Sequence, residues 1–168
     1  IAEAVKSLKL SDDAIVVNIQ GDQPVFEPAQ VDEVIQPLIN DESIVMSTLI
    51  YKIILDEEIK HPHAVKVAFD KNNFALYFSR ATIPYVRDSK MKAAYYKHHG
   101  IYAYRHDFLD IFTTLPEGNL EKLEALEQLR ALEYGYKIKV VITPYDSIEV
   151  DNRQELEKVR QLLKNEKN

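Results

Sequence analysis

The 168-residue sequence has no cysteine, no tryptophan, two methionines and only four glycines. Without cysteine there are no disulfides and no thiolate metal sites, which fits a reducing cytosol. The glycines, Gly21, Gly100, Gly118 and Gly135, lie too far apart to form a glycine-rich phosphate loop. Any nucleotide chemistry must therefore do without that cradle in this stretch of chain. No apolar run approaches a membrane span, so no membrane insertion is expected. An excess of positive charge is also missing. The 21 Lys and Arg against 27 Asp and Glu give a formal net charge of −6. That balance argues against a nucleic-acid partner and leaves room for a local basic pocket that holds a small anion.

What is present is enough apolar material for one substantial core. The sequence is 46% hydrophobic and 29% charged, in the range of folded globular chains. "AIVVNIQ", from Ala14 to Gln20, is a short β-branched run that predicts a buried strand. Pro28 suits a first helical turn, and Val31, Val34, Ile35 and Leu38 follow at helical spacing. A second strand is predicted over 44–53. "AVKVAF" and "FALYFS" alternate on either side of Asp70-Lys71-Asn72-Asn73, which predicts a hairpin. "HHGIYAYR" reads as a strand and Phe108 to Thr114 as a short helix. Leu120 to Tyr134 reads as one strong helix ended by Gly135. "KIKVVITP" predicts a further strand, and Val150-Asp151 opens a last helix through Leu163. This alternation, with a hairpin inserted, predicts one α/β domain over residues 1–168. Its architecture is three-layer α/β/α around a mixed, mostly parallel sheet.

Several polar residues sit where such a sheet places chemistry. In "VVNIQGDQP" a buried strand runs into Gln20-Gly21-Asp22, so Asp22 falls at the strand's carboxyl end, where α/β proteins hold ligands. An ordinary turn also favours aspartate there. Asp151 follows a β-rich segment in the same way. It also has Gln154 three residues on, a capping-box spacing that explains it structurally. If both strands run parallel, Asp22 and Asp151 converge at one edge, as a hard cation such as Mg²⁺ requires. Arg80 ends a strand in "YFSRATIP", where a guanidinium can fork onto a carboxylate or phosphate; a surface salt bridge is the commoner use. His98 and Tyr102 share one strand face, with His99 on the other. The alternative is a half-buried aromatic strand with one solvated histidine. Glu117, Glu121, Glu124, Glu127 and Gln128 recur along a helix, for which a solvated acidic face is the default.

These motifs occur together and in order. "VVNIQGDQP", "AVKV", "ALYFSRATIP", "HHGIYAYR", "LEALEQLRALEYGYKI" and "SIEVDNRQELEKV" resemble the 3-deoxy-manno-octulosonate (Kdo) cytidylyltransferases over almost the entire chain. The resemblance implies a nucleotide-diphospho-sugar transferase-like fold and a magnesium-dependent reaction. The anomeric hydroxyl of Kdo attacks the α-phosphorus of CTP, giving CMP-Kdo and pyrophosphate for lipopolysaccharide biosynthesis. It implies Asp22 and Asp151 as magnesium ligands and catalytic residues. It places Gln20, Arg80, His98, Tyr102, Glu124, Glu127 and Gln128 in the sugar-acid pocket, with Arg80 also catalytic. A cytoplasmic homodimer is implied as well.

Two positions depart from the family pattern: Gln23 stands where glutamate is usual, and Asn152 where threonine is common. The family's nucleotide-binding loop, rich in Arg, Lys and Gly, has no match here. The resemblance thus implies a C-terminal portion that keeps the sugar and metal side, with an exposed sheet edge where the family's first strand would lie. Two other readings stand beside it: a cytidylyltransferase for another acidic sugar such as sialic acid, and a non-catalytic module that binds the sugar acid or dimerises.

Overall fold

The computed structural model describes residues 1–11, 13–150 and 152–165. In chain order they form α1 (Ala2–Leu8), β1 (Ile15–Ile19), α2 (Pro28–Asn40), β2 (Met46–Lys52), α3 (Asp56–Lys60), β3 (Lys66–Phe69) and β4 (Ala75–Ser79). β5 (Tyr96–Arg105), α4 (His106–Thr114), α5 (Asn119–Glu124), α6 (Gln128–Glu133), β6 (Lys139–Thr143) and α7 (Arg153–Asn165) follow. Among the described residues no helix is long and apolar enough to cross a membrane.

β5 organises the sheet. One of its edges pairs antiparallel with β1, from Ile15↔Arg105 to Ile19↔Ile101, and meets β3 at Lys66↔Lys97. Its other edge pairs antiparallel with β2, with a register shift between Thr48 and Leu49. β6 lies parallel to β2, and the β3–β4 hairpin extends the sheet on the far side. β1, β2, β3 and β6 therefore run one way and β4 and β5 the other. The mixed sheet and the inserted hairpin match the sequence reading. One point differs: because the reversed β5 separates the co-directional strands, β2–β6 is the only parallel ladder among the described residues.

Helices cover both faces. Val34 and Leu38 of α2 pack on Ile44, Leu49, Ile101 and Ala103. On the other face Val5, Phe108, Leu109, Phe112 and Leu129 join Tyr102, Tyr104 and Phe78. Pro28 begins α2 as its fixed φ allows, and the Glu27 amide donates to Gln30 Oε1 at 3.0 Å to cap the helix.

The long helix expected over 120–134 is two helices. Ala125 adopts the left-handed conformation, φ 52° and ψ 52°, and separates α5 from α6. The reason lies in packing. In one straight helix Glu121 and Arg130 would stand about 13 Å apart along the axis. The break folds them together, so Arg130 donates to both Glu121 carboxylate oxygens, at 2.7 and 2.5 Å, while Leu126 and Leu129 stay in the core. Gly135, at φ +82°, ends α6 as expected.

A left-handed conformation costs a side-chain-bearing residue about 1–2 kcal/mol, and glycine's extra unfolded-state freedom offsets part of that. Ala125→Gly is therefore expected to stabilise the fold by up to about 1 kcal/mol in urea unfolding. A loss of about 1 kcal/mol, the usual penalty for glycine within a helix, would contradict the break.

Candidate functional site

β1 ends at Ile19, and the chain turns through a Gln23 amide to Gln20 carbonyl bond of 3.0 Å. The Gln20 amide donates to the Gly100 carbonyl at 3.0 Å, and the Gln20 side chain lies directly over Gly100. A Cβ at position 100 would collide with it, so glycine there permits the close approach. Beyond the turn the Asp22 carbonyl accepts the Val150 amide at 2.9 Å, and Gln23 Nε2 donates to Glu149 Oε1 at 2.8 Å. The turn after β1 and the loop after β6 are thus joined twice.

Two residues from this junction face a third element. The Tyr102 hydroxyl is held well above the usual tyrosine pKa, first by burial, then by the charges of Tyr104, Glu127, Glu149 and Asp22. It remains a protonated donor among carboxylates. The His98 ring lies 5.1 Å from that of Tyr102 and edge-on to Phe78 at 5.5 Å. Thr48 Oγ1 has one proton, which it donates to the Ile101 carbonyl at 2.9 Å, so it accepts from His98 Nε2 at 3.1 Å. Nε2 therefore carries the His98 proton and Nδ1 is the acceptor. Burial, reinforced by His99, pushes the His98 pKa down to about 3, so the ring is neutral. Both histidines are buried, and the solvated histidine of the alternative reading is absent.

The remaining candidates form a neighbouring group. Glu124 Oε1 accepts from Ser79 Oγ at 2.6 Å and Glu124 Oε2 from the Arg80 amide at 2.9 Å. The Arg80 guanidinium donates to the carbonyls of Glu124, Ala125 and Pro62, at 2.8, 3.3 and 3.1 Å. Instead of a surface salt bridge, it pins the helix break against the end of β4. Gln128 is buried at the start of α6, and its Nε2 has no hydrogen-bond partner among the described residues. Glu127 is mostly exposed, 3.7 Å from Arg130.

Asp151 lies outside the described residues. The capping box at the start of α7 is made by Asn152 and Glu155, one residue later than the sequence spacing predicts: Asn152 Oδ1 accepts the Glu155 amide at 3.0 Å, and Glu155 Oε2 the Asn152 amide at 3.1 Å.

Residues with no sequence signal complete the surroundings. Lys97 Nζ lies 2.5 Å from Glu58 Oε1 and 2.8 Å from Asp146 Oδ1. Burial pulls the Lys97 ammonium down, but those carboxylates more than reverse the effect and its pKa is raised. A cleft of about 520 Å³ opens here, lined by His61, His63, His98, Asp146, Glu149 and Asn152. A larger recess of about 660 Å³ lies under residues 84–93 and contains none of the candidates.

Among the described residues no three His, Cys, Asp or Glu side chains are placed to hold a metal. Mg²⁺ needs fewer, since it binds through one or two carboxylates and keeps its waters. Asp22 Oδ1 is buried with no partner among the described residues, as is Gln23 Oε1 beside it. Buried oxygens of this kind fit a hard cation.

A sheet edge of this form, with carboxylates at the strand ends, agrees with what the chain is similar to. It belongs to the cytidylyltransferase family, whose sequence pattern matches residues 1–138. It is 66% identical over 163 residues to the 3-deoxy-manno-octulosonate cytidylyltransferase of Syntrophus aciditrophicus (strain SB), covering 97% of this chain and 66% of that protein. It is 47% identical over 164 residues to an 8-amino-3,8-dideoxy-manno-octulosonate cytidylyltransferase of Shewanella baltica (strain OS155), with 97% and 66% covered. A solved CMP:2-keto-3-deoxy-manno-octonic acid synthetase complexed with CTP superposes with a TM-score of 0.88 at 38% identity. That match covers 98% of this chain and 66% of the other. The chain thus spans about two thirds of the length of these relatives.

Burial of neutral His98 makes stability depend on pH. Its folded pKa lies below the unfolded value near 6.5, so the unfolded state binds the extra proton and stability falls as pH drops below 6.5. At pH 5 this amounts to about 2 kcal/mol. His98→Gln is expected to flatten that part of the acid limb in pH-dependent urea unfolding. An unchanged slope would contradict the buried neutral ring.

Proposed function

We propose that this chain carries the sugar and metal side of a Mg²⁺-dependent Kdo cytidylyltransferase. The anomeric oxygen of Kdo bonds to the α-phosphorus of CTP, the bond from that phosphorus to the β-phosphate oxygen breaks, and pyrophosphate leaves. The observation that carries this reading is the double junction between the Asp22 turn and the 149–150 loop beside Tyr102, in a chain 66% identical to a relative so named.

Each residue has a distinct task. Asp22, with Asp151, would hold Mg²⁺, which would supply neutralisation of phosphate charge and favour ionisation of the attacking hydroxyl. Tyr102 and Gln128 offer donors, and neutral His98 an acceptor, to the hydroxyls and carboxylate of the sugar. Gln20, held over Gly100, closes the near side, and Glu127 the far side. Arg80 and Glu124 brace the pocket wall, and the Arg80 charge attracts the sugar carboxylate. Catalysis then comes from orientation of the attacking hydroxyl rather than a covalent intermediate. The enzyme acts as a cytoplasmic homodimer in lipopolysaccharide biosynthesis. The Shewanella relative's name favours a second reading, an 8-amino acceptor sugar in place of Kdo.

Pyrophosphate release by this chain with CTP, Kdo and Mg²⁺, against a control lacking Kdo, tests the proposal. Kdo-dependent release is expected, falling by about 10³ in Asp22→Asn with the circular dichroism unchanged. Full activity in Asp22→Asn would remove Asp22 from the metal site. Preference for the 8-amino sugar in competition would favour the second reading. Release without any sugar, or none with either sugar, would contradict transferase activity in this chain.

A further inference from the structure

The loop that leads from β6 toward Asp151 is fastened at two places, and the second fastening has no part in the chemistry above. At its far end Glu149 and Val150 bond to Gln23 and Asp22. At its near end Asp146 Oδ1 lies 2.8 Å from Lys97 Nζ and 3.6 Å from His99 Nε2. Lys97 and His99 are on the face of β5 opposite His98 and Tyr102.

The anchoring groups are themselves fixed. The Gln30 side-chain oxygen accepts the Glu27 amide, so its Nε2 points at His99 Nδ1, 3.4 Å away. Nδ1 must then be the acceptor and Nε2 the protonated atom, which approaches Asp146 Oδ1 to 3.6 Å but makes no hydrogen bond among the described residues. The His99 ring stacks on Tyr51 at 5.9 Å and is 1% exposed, so it cannot turn away. Lys97 is held between Glu58 of α3 and Asp146. The capping box of α2 thus fixes the His99 ring through Gln30, with its Nε2 edge near the carboxylate at the root of the loop. The Lys97 side chain is only 10% exposed while that of Asp146 is 46% exposed, so the contact is partly screened, between a surface pair and a buried one.

We propose that Asp146 is a positioning residue: anchored by Lys97 and packed close to His99, it sets the 146–150 loop so that Val150 is held against the Asp22 turn, where a divalent cation would bind. The proposal rests on the reading of Asp22 as a cation ligand. In this proposal Asp146 acts through Glu149 and Val150 rather than as a ligand of the cation.

The test uses this chain with Mg²⁺ alone, in wild type, Asp146→Asn and Glu58→Gln. The last variant removes the other partner of Lys97 without touching the loop. Asp146→Asn is expected to speed amide exchange at Val150 by on the order of tenfold. It should also weaken Mg²⁺ binding, measured by calorimetry, by about tenfold. Glu58→Gln should change neither more than about twofold. Unchanged Val150 protection in Asp146→Asn overturns the anchor. Faster exchange with unchanged Mg²⁺ affinity makes the contact merely structural and overturns the positioning role. If wild type binds no Mg²⁺, the cation reading fails along with the positioning role, and the exchange result then shows independently whether the loop is anchored as described.

Discussion

β5 is buried on both faces and yet carries Lys97, His98 and His99, so each of these side chains needs polar neighbours inside the fold, and only His99 Nε2, 3.6 Å from Asp146, goes without a hydrogen bond among the described residues. That requirement shapes everything around it. The three side chains project alternately and recruit partners from both layers. His98 takes Thr48, and His99 takes Gln30 and Asp146. Lys97 takes Glu58 and Asp146. An apolar strand of the same length would bury well, but it would offer no partner to Glu58 or Asp146. The neutrality of the histidines follows from the same burial. Neither ring is a proton donor of ordinary pKa, which favours a reaction organised by orientation over one that shuttles protons.

The second consequence is that segments far apart in sequence are brought together, and the proposed site is built from them. The turn after β1, the start of α6 and the loop before α7 meet where β5 presents Tyr102. Their carboxylates would repel one another in the absence of a counter-charge. Gln23 bears on this directly. As an amide it donates to Glu149 at 2.8 Å, which two carboxylates could not do without sharing a proton. An amide at position 23 and an acid at position 149 thus form a matched donor–acceptor pair.

The strands, the hairpin and the α2 helix were legible because apolar period and turn chemistry agree along them, as at Pro28 and at Asp70 to Asn73. The face shared by His98 and Tyr102 followed from strand alternation. The break at Ala125 was not legible: alanine is the best helix former, and only the pairing of Glu121 with Arg130, nine residues on, reveals it. The shifted capping box shows the same limit, since Asp151 and Asn152 are both good caps and local spacing does not choose between them. Asp146 and Glu58 look like ordinary surface acids until β5 brings Lys97 to them. Long-range polar contacts leave no periodic trace in a sequence, whereas burial does.

The central claim is that the turn at Asp22, the Tyr102 face of β5 and the start of α6 form one sugar site. A titration of the ¹⁵N-labelled chain with Kdo in the presence of Mg²⁺, followed by amide chemical shifts, addresses it most directly. The account predicts that the largest shifts fall at 20–23, 100–102, 127–128 and 149–150, with small ones elsewhere. Shifts confined to residues 84–93, or none at saturating sugar, would contradict it.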